Sequence, residues 1–103
     1  MHISRPERLL LDRRRKGETQ VVAAKRYNVP LNRYVEWEKG TRPCPHKPVL
    51  QRLQPHERCL ILRRRSGLTQ TAVAAQIHRC RRWVTLMERG EVPCTELEEY
   101  WGE

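Results

Sequence analysis

The chain has 103 residues, room for one domain or two very small units, and carries 21 Lys and Arg against 12 Asp and Glu, a net charge of +9. With 38% hydrophobic and 32% charged residues it has little apolar surplus, which argues against a large catalytic cleft. No apolar run approaches the roughly 20 residues of a membrane span, and Met1-His2-Ile3-Ser4-Arg5-Pro6 lacks the apolar stretch of a secretory leader; a small basic binding protein of the cytoplasm is the expectation.

In chain order, Ser4-Arg5-Pro6-Glu7 has capping-box spacing, and Leu10, Leu11 and Arg14 continue a helix that Gly17 ends. Thr19 is placed to cap a second helix, Gln20–Tyr27, which Asn28-Val29-Pro30 breaks. The third, Leu31–Lys39, stops at Gly40 ahead of Pro43 and Pro45. Residues 44–54 read as a Pro-rich connector, with Val49–Leu53 as one short helical turn. Helices over His56–Ser66, Gln70–Ile77 (capped by Thr69) and Arg81–Arg89 follow, stopped by Gly67 and Gly90. Thr95 is placed to cap a last helix, Glu96–Trp101, whose early glutamates suit a helix N-terminus. No segment alternates with period two, so the expected fold class is all-α.

The second set of elements repeats the first. Shifted by fifty residues, Glu7–Cys44 lies on Glu57–Cys94 without a gap, and 14 of the 38 aligned positions are identical. The predicted organisation is therefore residues 1–43 as one unit, 44–54 as connector, and 55–103 as a second unit with a C-terminal helix. Charge follows the repeat. Residues 1–52 hold 13 Lys and Arg against 5 Asp and Glu, and residues 53–90 hold 8 against 2, before an acidic tail. Two basic units attract polyanions, nucleic acid above all.

Gly17-x-Thr19-Gln20-x3-Ala24-x4-Val29, then Tyr34-x2-Trp37-Glu38-x-Gly40, resembles the helix-turn-helix of the Cro/CI (lambda-repressor-like, XRE) family. Gly67-Leu68-Thr69-Gln70-x3-Ala74-x2-Ile77, then Val84-x2-Met87-Glu88-Arg89-Gly90, resembles it again. The resemblance implies two tandem units that each offer a third helix to the major groove of double-stranded DNA. It implies that Arg13 with Glu38, and Arg63 with Glu88, pair between helices one and three.

Tyr34 with Trp37, and Val84 with Met87, are spaced to face inward. The outward face of helix three then carries Leu31, Asn32, Arg33 and Glu36 in unit one and Arg81, Arg82, Trp83 and Leu86 in unit two. Asn pairs with adenine, Arg with guanine, and Glu accepts from cytosine. By the resemblance, Gln20 and Gln70 anchor phosphate, with Thr19 and Thr69 beside them. Arg5, Lys39, Arg42 and Arg89 are candidate backbone contacts. Residues 41–54 reach at most about 46–50 Å, enough for recognition helices roughly 34 Å apart, and unlike reading faces imply an asymmetric bipartite site.

Unit two departs from the family pattern. Arg79 stands where the family buries Val, His78 replaces glycine, and Trp83 and Leu86 place apolar surface on a face that should be wet. Glu18 breaks the pattern in unit one. Two readings follow. The first is a sequence-specific transcription regulator, a phage or mobile-element repressor that occludes a promoter. The second is a protein-binding module on the same scaffold (antitoxin, or inhibitor of polymerase or a nuclease), docking or dimerising through Trp83, Leu86, Tyr100 and Trp101. Cys44, Cys59, Cys80 and Cys94 form no C-x2-C pair and the four histidines form no constellation, so no metal, cofactor or catalysis is expected.

Overall fold

The computed structural model describes residues 2–48 and 52–102, which form seven helices and no strand. The chain divides into two compact units, Met1–Gln51 and Arg52–Glu103. No helix among the described residues is long and apolar enough to cross a membrane.

Unit one comprises α1 (Arg5–Arg15), α2 (Gln20–Arg26) and α3 (Leu31–Lys39). The capping box forms: the Glu7 amide donates to Ser4 Oγ at 3.4 Å, and the Ser4 amide to Glu7 Oε1 at 3.0 Å. Helix α1 ends two residues before Gly17, whose φ of +68° turns the chain into α2. Thr19 Oγ1 accepts from the Val22 amide at 3.3 Å, the expected cap of α2. Asn28, at φ +57°, carries the chain into α3. Helices α2 and α1 both pack on α3. The core gathers Leu9, Ala23, Ala24, Tyr34, Trp37 and Cys44, with Tyr27 and Val29 against it. Residues 44–46 close the base. Cys44 Sγ donates to the His46 carbonyl and accepts from the His46 amide, each at 3.3 Å, and the imidazole lies 4.7 Å from the Tyr27 ring. The spacing of Cys44-Pro45-His46 thus serves a turn.

Unit two repeats the plan with α4 (Pro55–Ser66), α5 (Gln70–Gln76) and α6 (Arg81–Arg89), then adds α7 (Thr95–Trp101). Helix α4 begins one residue earlier than expected because Pro55 suits its first turn and Glu57 Oε1 accepts from the Gln54 amide at 2.9 Å. Thr69 caps α5 as predicted. Thr95 does not cap α7: it lies inside the helix, and Cys94 is the cap residue. Of the expected turn at Val49–Leu53, residues 49–51 lie outside the described residues, and Arg52 and Leu53 are not helical. The core holds Cys59, Val73, Ala74, Val84, Met87 and Leu97. Leu97, fully buried, brings α7 onto α4, so a helix closes unit two where an aromatic turn closes unit one.

Candidate nucleic-acid interface

One carboxylate organises each unit. Glu38 accepts from Arg13 Nε at 2.7 Å and Nη2 at 3.3 Å, and from Gln20 Nε2 at 3.2 Å. Glu88 does the same for Arg63, at 2.6 and 3.2 Å, and for Gln70, at 2.9 Å. The guanidinium also donates to the carbonyl of Glu18, or of Leu68, and so ties down the turn between the first two helices. The first, second and third helices of each unit thus meet at one buried acid. Burial first, and the Glu38 carboxylate second, hold the Tyr34 phenol well above its usual range. Its hydroxyl makes no hydrogen bond of good geometry, although Glu38 is close enough to act on it.

Gln20 and Gln70 therefore begin the second helices with one amide hydrogen committed inward and one remaining. In unit two the side-chain amide is held at both ends, because Thr85 Oγ1 donates to Gln70 Oε1 at 2.9 Å. Val35 occupies that repeat position in unit one and offers no such bond. Sequence reading missed Thr85; only its offset of fifteen residues from Gln70, across two helices, signals it.

With Tyr34, Trp37 and Glu38 facing inward, α3 exposes Leu31, Asn32, Arg33 and Lys39. Leu31, 44% exposed, is one of few large apolar side chains so open to solvent. Glu36 is half-buried and bound to Arg42 Nε at 2.7 Å, so these two candidates satisfy each other. Thr19, Thr69, Arg81, Arg82 and Arg89 are exposed. Arg5 is exposed, and its guanidinium donates through Nη1 to the Cys44 carbonyl at 3.1 Å within its own unit.

Trp83 departs most. It was expected on the outward face, yet it is half-buried and packs against the unit's own core. Arg79, which was expected at a buried position, turns out to solvent instead. Its guanidinium lies 5.5 Å from the Trp83 ring centroid and binds Glu96 of α7 at 2.9 Å. The backbone needs no change, because the Arg79 amide still donates to the Ala74 carbonyl at 2.9 Å, as Val29 does to Ala24 at 3.0 Å. The Arg79 hydrogen bond holds the Glu96 carboxyl below its ordinary range, and Glu96 in turn raises the guanidinium. Tyr100 and Trp101 also lean on this core and meet edge to face at 4.8 Å, and Leu86 is half-buried. Of the four residues expected to form an apolar docking face, Trp83, Tyr100 and Trp101 thus pack against unit two itself.

Comparison with protein-family models, with curated proteins and with solved structures finds no match.

Proposed function

We propose that the chain is a sequence-specific DNA-binding transcription regulator, built as two tandem lambda-repressor-like helix-turn-helix units and acting by occluding a promoter, as a phage or mobile-element repressor does. One observation carries this reading. In each unit the third helix is locked inward by core side chains and the shared carboxylate, while its N-terminal outward edge stands free: Leu31 and Asn32 on α3, Arg81 and Arg82 on α6. A groove reader needs that combination of a rigid inner face and a polar edge of donors. Gln20 and Gln70 each keep an amide hydrogen for a phosphate, and Arg33, Lys39 and Arg89 add positive charge alongside. The competing protein-docking reading loses support, since three of its four apolar anchors, Trp83, Tyr100 and Trp101, pack against their own core.

Mobility shift of promoter and random duplexes under titrated salt tests the proposal. Binding should weaken steeply as salt rises, in proportion to the phosphates contacted. Gln20→Ala should weaken binding to all sequences alike, and Asn32→Ala should relax base preference. Absence of binding at low ionic strength, or binding indifferent to salt, rejects it.

A further inference from the structure

We infer that the two units read opposite base-pair types: unit one an A·T segment, recognised in part through thymine methyl groups, and unit two a G·C segment. The inference rests on the proposed DNA-reading role and deepens it.

Position 33 differs between the units: Trp83 packs against its own core where α7 closes unit two, whereas Arg33, in a unit without that helix, is exposed and its charge suits a phosphate. The edge proper is then residues 31, 32 and 36 in unit one and 81, 82 and 86 in unit two. In unit one, Glu36 accepts from Arg42 Nε at 2.7 Å, so part of each group's hydrogen-bonding capacity is turned to the other. The edge also holds the exposed apolar side chain of Leu31 beside the amide of Asn32. An apolar group pairs with the thymine C5-methyl, and an Asn amide with adenine N6 and N7. In unit two the first two of these positions hold Arg81 and Arg82, exposed and without an ion pair among the described residues, and the third holds Leu86, which is half-buried. Guanidinium donors match guanine O6 and N7. Between α3 and α6 only Glu38 and Glu88 are identical, so nothing on the two edges enforces a shared preference.

The test starts from duplexes selected by the full chain out of a random pool. In the selected site, thymine is replaced by uracil, which lacks only the methyl, and guanine separately by 7-deazaguanine, which lacks N7. Uracil should weaken wild-type binding about fourfold per contacted methyl, the equivalent of one buried methyl group. It should cost Leu31→Ala nothing further. The guanine analogue should weaken binding about tenfold, and Arg82→Gln should be insensitive to it. Each variant should relax preference in one half of the motif only; both positions are exposed, so the fold is retained. DNA binding that responds to uracil equally in wild type and Leu31→Ala, or a motif with two matching halves, overturns the inference and leaves the DNA-reading role standing. Failure to select any DNA overturns that role as well.

Discussion

Glu88 is the most informative residue to perturb. Its side chain has no solvent exposure and accepts hydrogen bonds from Arg63 Nε and Nη2 and from Gln70 Nε2. Glu88→Gln keeps the shape but replaces one oxygen with an NH2 group, so at least one donor meets a donor. The Arg63 guanidinium, 16% exposed, also loses its counter-charge. Breaking a buried pair from one side costs about 3–5 kcal/mol. Arg63 keeps some solvent contact and the Leu68 carbonyl, which places the expected loss near ~3 kcal/mol. On the scaling for chains of 60–100 residues that lowers the melting temperature by about 12–24 °C. Urea titration followed by circular dichroism reads the change. Lys16→Ala is the control: it removes an exposed i,i+4 partner of Asp12 and should shift stability by less than ~0.5 kcal/mol. Arg63→Met combined with Glu88→Leu should recover most of the loss, since an apolar pair leaves no charge unpaired. A single Glu88→Gln variant within ~1 kcal/mol of wild type would refute the keystone role, because a buried pair broken from one side cannot be that cheap.

Three further outcomes are expected. His78 holds φ at +57°, a conformation that costs a non-glycine residue roughly 1–2 kcal/mol, so His78→Gly should raise the urea midpoint by the equivalent of about 1 kcal/mol. Burial pushes the Cys59 thiol up to about 12, well above the ordinary thiol range in which the unfolded chain ionises. The folded state therefore retains a proton that the unfolded state releases, and stability should fall as pH rises from about 9 towards 12, a slope that Cys59→Ala reduces. The Glu96 carboxyl, held low by Arg79, should titrate below an ordinary glutamate in an NMR pH series and return to the usual range in Arg79→Ala. Depression of the folded value means that this small surface contribution is present at neutral pH and fades on acidification.

Caps and ion pairs were legible because their signals are local or repeated. Ser4 with Glu7, Thr19, Thr69, Gly40 and Gly90 each mark a helix end by type and position, and all adopt the cap or left-handed geometry their chemistry favours. Periodicity put Tyr34, Trp37, Val84 and Met87 inside, and they are buried. Trp83 was misplaced because a helical wheel cannot tell an outward edge from a flank. Its packing depends on Arg79 swinging out to meet Glu96, and that depends on α7 docking, a tertiary event. The Arg42–Glu36 bond was hidden for a similar reason. Six residues and a helix end separate the partners, and only the left-handed turn at Gly40 brings them together.

The shared carboxylate also bears on how the two copies have drifted apart. A side chain that answers to two partners in two other helices cannot change alone, so mutation at Arg13, Gln20 or Glu38 is trapped, as it is at Arg63, Gln70 and Glu88. All three positions are among the fourteen that the copies still have in common, whereas none of the fourteen falls between residues 25 and 37. Duplication of such a body yields two frames that stay interchangeable and two outer rims at liberty to specialise.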